Sequence, residues 1–435
     1  MDNKLKIVWV CAFSNSKVRE HYQVKPSFLI RLLYKFLKLK ADHAVDYGVW
    51  NTNGIAEMAK RNDVELHIVS PIRNLSEPNT DFEIDGIYYH YFREENSSMI
   101  RQIWYQLFTK NKSMFKRNRE KAMQIIKTIS PNLVHVIGAE NPYYSTILLD
   151  VPKEIPTIVQ LQTLLCKAVH ETKNLREKKS FDYKGRIETL LFEKADYVGT
   201  SVTVFMDYIK KNINSKVVFL KLNLAVTEPV DFSYDKKEYD FVYFAAGIQK
   251  AVDDAIEVFA LAHKKIPSLT LDVVGGYSTE LKSKLDKRIK ELGIEGAVFF
   301  EGKLSTHEDV ICQIKKSRIA LLPLKIDVFP STVREAMANG LPVVTTITEN
   351  GTSRLNAKRE SVLLSPKGDY QAMADNMLKL VNDLEFAKTI QTNAGLTASE
   401  RKSNKLTINR WVEAYHACVA HTQDGSPIPV DLIVY

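Results

Sequence analysis

A chain of 435 residues is about three domain lengths, and 45% hydrophobic with 26% charged residues is an ordinary globular balance, which excludes a disordered, collagen-like or coiled-coil protein. No apolar run approaches the roughly 18 residues of a spanning helix. Cys11, Cys166, Cys312 and Cys418 are too scattered for a zinc or disulfide signature, so a reducing cytoplasm is the expected compartment. The net charge of +8 is uneven: residues 1–225 carry 34 basic and 24 acidic side chains, whereas the remainder carry 26 and 28. That asymmetry suits two domains with different partners. Nucleic acid is not among them, because no basic run is interleaved with aromatics at a recognised spacing.

The opening MDNKLKIVWVCAF has no small-residue cleavage site and predicts a first strand, not a signal peptide. Next comes PSFLIRLLYKFLKLK (26–40), with Arg31, Lys35 and Lys38 in one basic stripe and leucines and phenylalanines elsewhere. Such a helix suits the surface of an anionic membrane, or equally a place against the N-terminal sheet. Strands are then expected at VELHIV (64–69), LVHVIG (133–138), TIVQLQ (157–162), YVGTS (197–201) and VVFLKL (217–222), with helical spacing at 53–61 and 119–129. Continuous apolar strands between helices indicate a parallel sheet covered on both faces.

The polar, aperiodic segment at 228–240 reads as a linker, after which the pattern restarts. Strands are expected at 241–247, 269–276, 297–302, 319–324, 341–346 and 361–365, again alternating with amphipathic helices. The expected fold class is therefore α/β, with two doubly wound, Rossmann-like domains facing across a cleft. The boundaries are 1–227, a linker at 228–240, a second domain at 241–405, and a closing helix and tail at 406–435 that return to the first domain. Ligand should sit outside the carboxyl ends of the parallel strands.

The most informative stretch is LPLKIDVFPSTVREAMANGLPVVTT (322–346). It reads as a strand, a loop carrying Asp327, a helix from about Ser331 that carries Glu335, and a second strand after Gly340. The free amides of Ser331, Thr332 and Val333 at a helix N-terminus form an anion site. Asp327 and Glu335, eight positions apart, would flank a phosphate there and can hydrogen-bond sugar hydroxyls. Alternatively, Thr332 and Glu335 form a Thr-x-x-Glu capping box.

This stretch resembles the donor-site signature of the retaining glycosyltransferases of family 4, which have the GT-B fold. The run Ala336-Met337-Ala338-Asn339-Gly340-Leu341-Pro342-Val343-Val344 reproduces the family run position by position. The resemblance implies that Glu335 binds the ribose of a nucleotide-sugar and that residues 331–333 hold a phosphate. It implies that the first acid, here Asp327 in place of glutamate, contacts the sugar ring. Segments 241–261, 271–281, 297–310 and 360–383 look like successive units of the family's C-terminal domain. From them come Lys250 as a pyrophosphate-neutralising cation, with Gly247 at the position of the usual arginine, and Gly275, Gly276 and Lys303 near the base. In the N-terminal half, 131–144 resembles the strand that bears active-site groups. It supplies His135 and Glu140, with Ile137 where many members carry a second histidine. Thr200 and Ser201 match a cleft-facing strand end.

No Asp-x-Asp and no metal-ligand spacing occurs in the chain, so no metal is assigned. The function expected from the resemblance is transfer of a sugar from a UDP- or GDP-linked donor to a glycan or lipid-linked acceptor, with retention of configuration and without a cofactor. Polysaccharide or glycolipid synthesis in the cytoplasm, at the inner face of the membrane, is the expected setting. The alternative is a relative that binds nucleotide-sugar or glycan without turnover.

Overall fold

The computed structural model describes residues 4–25, 46–95, 114–167, 175–200, 202–226, 237–245, 251–325, 331–348, 351–400 and 403–434. The chain divides into two compact units, one of Met1–His43, Trp50–Ala225 and Asn404–Tyr435, the other of Ala44–Val49 and Val226–Ser403. The two stretches that break sequence order, Ala44–Val49 and Asn404–Tyr435, are grouped by packing and not by position along the chain.

The first unit holds β1 (Leu5–Val10), a single turn α1 (Ser16–Arg19), α2 (Val49–Met58, whose first residue is counted with the other unit) and β2 (Val64–Ile72). There follow β3 (Asn79–Ile84), β4 (Ile87–Arg93), α3 (Lys116–Ile129), β5 (Leu133–Ile137) and a turn α4 (Pro142–Ser145). The series ends with β6 (Thr157–Gln160), α5 (Leu175–Lys194), β7 (Tyr197–Gly199), α6 (Thr203–Asn212) and β8 (Val218–Leu220). The sheet order is β3-β4-β2-β1-β5-β6-β7-β8. Its pairings are parallel except β3–β4, which is antiparallel. That hairpin departs from the all-parallel expectation. Its signal is Asp85-Gly86, both at positive φ (52° and 77°), a two-residue turn whose twist matches the flanking strands.

In the second unit β9 (Tyr239–Phe244), α7 (Val252–Lys265), β10 (Leu271–Val274), α8 (Thr279–Leu292), β11 (Val298–Gly302) and α9 (His307–Ile314) come first. The second half holds β12 (Ser317–Leu322), α10 (Ser331–Ala338), β13 (Val343–Thr346), β14 (Leu363–Ser365), α11 (Tyr370–Asn382) and α12 (Leu384–Ser399). Strand order is β11-β10-β9-β12-β13-β14, parallel throughout. The order reverses between β9 and β12, the switch point at which open α/β sheets bind ligands. Strands β9, β10, β12 and β13 are buried along most of their length because helices cover both faces, hence their continuous apolar runs.

The last helix, α13 (Asn404–Asp424), belongs to the first unit. Ile408, Trp411, Tyr415 and Cys418 recur at three and four positions and are all buried, one apolar face laid on β1 and β5. Trp9 Nε1–H donates to Tyr415 Oη at 2.9 Å, and Trp411 Nε1–H donates to the Asn223 carbonyl at 2.8 Å, so both indoles are buried without losing their hydrogen bonds.

Candidate functional site

Strand β12 delivers the chain to the switch point at Leu324 and Lys325, and α10 leaves it at Ser331. Asp327 lies between, outside the described residues, as do Lys250 and Gly247 on the β9 side. Thr346 Oγ1 fixes the β12 end by accepting from the Leu324 amide at 2.9 Å and donating to the Leu324 carbonyl at 2.7 Å. Beyond it, Lys325 Nζ sits 2.9 Å from Asp253 and 3.9 Å from Asp254 in the first turn of α7. Tyr370 Oη–H from α11 donates to Asp254 at 2.7 Å. Lys325 is therefore a cation at the switch point that the sequence reading passed over. Its signal was a lysine one residue past a buried strand.

Helix α10 carries Ser331, Thr332 and Val333 in its first turn. Val333 is wholly buried, its side chain part of the core of the second unit. Thr332 Oγ1 is buried with no hydrogen-bond partner among the described residues. Thr332 sits inside the helix, not before it, so a Thr332–Glu335 capping box does not form. Gly340 closes α10 at φ 75°, the left-handed ending that glycine adopts without strain.

The Glu335 carboxylate instead meets His307, with Nε2 and Oε1 3.0 Å apart and the two side chains only 24% and 15% exposed. His307 is the first residue of α9, whose start is set by a reciprocal cap. Thr306 Oγ1 accepts from the Asp309 amide at 3.0 Å, and Asp309 accepts from the Thr306 amide at 3.1 Å. The His307 amide donates to Asp46 at 2.9 Å, and the Asp46 amide to the Ser305 carbonyl at 3.2 Å. Burial works against a charged ring here. The close Glu335 carboxylate and the Asp46 charge outweigh it and hold the His307 imidazole above its ordinary value. His307 was legible only as a helix-start residue, since its partner lies 28 positions on.

Gly275, at φ 153°, follows β10, and its amide donates to the Gly302 carbonyl at 2.9 Å. A Cβ there would stand 3.0 Å from the Ala245 carbonyl and 3.1 Å from Tyr277 Oη. At Gly276 it would stand 3.1 Å from the Lys303 stem. The structure thus brings Gly275, Gly276 and Lys303 together where the β10 and β11 ends meet.

In the first unit His135 lies on β5 with no exposed surface. Its Nδ1 pairs with Tyr415 Oη at 2.7 Å, and its ring stands 4.8 Å from Trp411 and 6.3 Å from Trp9, centroid to centroid. Burial drives its pKa down to about 3, so the ring is neutral and packed within the aromatic core. Ile137 ends the same strand, buried. Glu140 follows β5 past Gly138, which sits at φ 99° with no room for a Cβ beside Tyr144 and Glu140. Burial raises the Glu140 carboxyl against the opposing pull of its local hydrogen bonds and Lys184. One of its oxygens is buried without a partner among the described residues. Close enough to feel that charge is Glu188 on α5, fully buried, accepting from the Cys166 amide at 2.8 Å and pushed up by burial to about 8. The sequence reading missed Glu188, which looks like any acid in a charged helix. Thr200 is buried and its hydroxyl accepts from the Val202 amide, whereas Ser201 lies outside the described residues.

Residues 228–396 match the family described as glycosyl transferases group 1. An uncharacterized glycosyltransferase of Haemophilus influenzae is 28% identical over 162 residues, 37% of this chain and 44% of that protein. Sucrose-phosphate synthase from Thermosynechococcus elongatus shares the fold with a TM-score of 0.67 at 13% identity, over 95% of this chain and 98% of the other. HepE of Anabaena, solved with UDP and glucose, does so with a TM-score of 0.60 at 16% identity, over 94% and 98%. The chain spans less than half the length of the curated relatives it matches.

Proposed function

We propose, from the match of residues 228–396 to the glycosyl transferases group 1 model and from the GT-B fold, that the chain transfers a sugar from a nucleoside-diphosphate donor to a hydroxyl acceptor. The observation that carries this reading is the placement of Glu335 on α10, one residue before the Ala336–Val344 run, on the crossover that leaves the switch point.

In this reading the amides of Ser331, Thr332 and Val333 bind the diphosphate, aided by the positive end of the α10 dipole. Glu335 accepts from the ribose hydroxyls and Asp327 from the transferring sugar. Lys325, Lys250 and Lys303 supply positive charge around the phosphates and base. The C1–O bond to the diphosphate breaks while the acceptor oxygen bonds to C1 on the same face. The acceptor proton passes to the departing phosphate oxygen, giving retention without an enzyme nucleophile. Charge on the leaving group is stabilised by fixed donors and lysine, so the reading calls for no metal. Glu140 lies at a strand end of the first unit and is assigned to the acceptor. The HepE complex with UDP and glucose favours a UDP-linked donor as the first to try. A glycan or lipid-linked acceptor in polysaccharide synthesis is the class proposed, with residues 26–40, which lie outside the described residues, as the segment that meets a membrane surface. Flotation with anionic vesicles checks that last point: binding should fall in a Leu32→Glu, Phe36→Glu variant.

Calorimetry with UDP and GDP, followed by slow donor hydrolysis, tests the donor site. A hydrogen bond to a charged acceptor contributes about 1.5–3 kcal/mol, so Glu335→Gln should weaken nucleotide binding by about ten- to over a hundredfold. Asp327→Asn should depress turnover and leave diphosphate binding intact. Unchanged affinity in Glu335→Gln sinks the assignment. Tight binding with no hydrolysis or transfer from any donor would make the protein a binder.

A further inference from the structure

Resting on the ribose-binding role of Glu335, we infer that His307 is a positioning residue that locks the Glu335 carboxylate in the orientation that reads the ribose diol, and that Asp46 in turn locks His307.

A glutamate on a helix has three side-chain torsions, and fixing them on ligand binding costs free energy that must come out of the affinity. Here the 3.0 Å contact with His307 fixes them beforehand. A carboxylate can accept about four hydrogen bonds, so the ion pair that His307 makes with one oxygen leaves most of that capacity for the ribose. His307 cannot drift, because its backbone is the first residue of a capped helix and its amide is bound to Asp46. The same bonds occupy the first amides of α9 with protein groups: Asp309 is bound to Thr306 and His307 to Asp46. That end of α9 is therefore filled, and its work is to present His307. The charges facing the ring are Glu335 from α10 and Asp46 from the segment before α2, with Glu308 and Asp309 exposed on its own helix. The ring faces the Glu335 carboxylate and feels the Asp46 charge beside its own backbone, which favours an N–H over a lone pair at Nε2.

The consequence is selectivity for the diol. Calorimetry on the full chain would compare UDP and GDP with their 2′,3′-dideoxy forms, which lack what Glu335 reads. In the wild type the ribonucleotide should bind tighter. His307→Ala should weaken the ribonucleotide about three- to tenfold, the share of one hydrogen bond, and leave the dideoxy form within about twofold, so the ratio shrinks. His307→Gln, which keeps an N–H in reach, should restore most of it. Raising the pH through the His307 titration should shrink the wild-type ratio and not that of His307→Gln, a readout that survives if the alanine variant folds poorly. Equal losses for both nucleotides, or an unchanged ratio, overturn the inference. If Glu335→Gln shrinks the ratio and His307→Ala does not, only the role of His307 falls. If Glu335→Gln changes nothing, the donor-site reading beneath it falls.

Discussion

Two histidines in the two units show how packing decides chemistry. His135 on β5 and His307 on α9 are the same side chain, and each has one ring nitrogen within 3.0 Å of an oxygen. His135 meets a neutral hydroxyl inside an aromatic box, and desolvation drives its proton off. His307 is less completely buried and meets a carboxylate, with a second one beside it, so it keeps its proton above the usual range. Charge follows the partner, and the partner is set by the fold. The lesson extends to the acids. Glu188, sealed in beside Cys166 and near Glu140, is pushed by burial to about 8.

The largest expected effect is on the box around His135. Trp411→Ala removes a buried indole that packs against His135 and Trp9, and should cost about 3–5 kcal/mol in denaturant unfolding. Donor affinity measured under folding conditions should be unchanged, since no donor group touches that core. Next come the pH slopes, which should have opposite signs. The folded pKa of His135 is depressed to about 3 from 6.5, so its contribution is present above pH 6.5 and is lost as pH falls toward 3. Stability should drop by about 1.4 kcal/mol per pH unit across that window, and His135→Gln should flatten the acid limb. The folded pKa of His307 is raised, so its contribution is full below pH 6.5 and is lost as pH rises through the raised value. His307→Gln should flatten the alkaline side instead.

Glu188 sharpens the contrast from the acid side. With a folded value of about 8 against 4.5, it binds a proton in the fold that the unfolded chain has released, so its presence costs stability as pH rises from 4.5 to 8. Glu188→Gln should therefore melt higher than wild type at pH 8 and close to it at pH 4.5. An unchanged difference between the two pH values would show that the carboxyl is solvated. The smallest effect is Thr306→Ala, which removes the cap presenting His307 and should cost about 1 kcal/mol. Its nucleotide affinity should move in the same direction as that of His307→Ala.

Much of the fold was legible. Twelve of the strands follow apolar runs that a period of two or none marks plainly, and the expected strand at 133–138 differs from β5 by one residue. The antiparallel β3–β4 hairpin departs from the expected pattern, since its short, partly exposed strands lack the continuous apolar runs of the parallel sheet and only Asp85-Gly86 marks its turn. In the donor half the Ala336–Val344 run located Glu335 and the α10 start within a residue. Lys325 and His307 escaped because single cations near strand ends and helix starts are common and carry no spacing signal of their own. The expected functions of Asp327, Lys250 and residues 26–40 fall outside the described residues.

What the sequence determined alone is whatever depends on near neighbours. Apolar runs set the strands, 3.6-residue spacing set the helices, Thr306 and Asp309 set the start of α9, and Gly340 ends α10, because each rests on contacts within a few positions. What only the tertiary structure decided are pairings of residues far apart in the chain. Tyr415 reaches His135 across 280 positions and makes a core residue of it. Asp46 reaches His307 across 261, and His307 reaches Glu335, which turns a helix-start residue into a charged neighbour of the candidate ribose site. The physical reason is that a side chain's protonation and role depend on desolvation and on the one or two groups within about 4 Å, and those are chosen by how strands and helices stack.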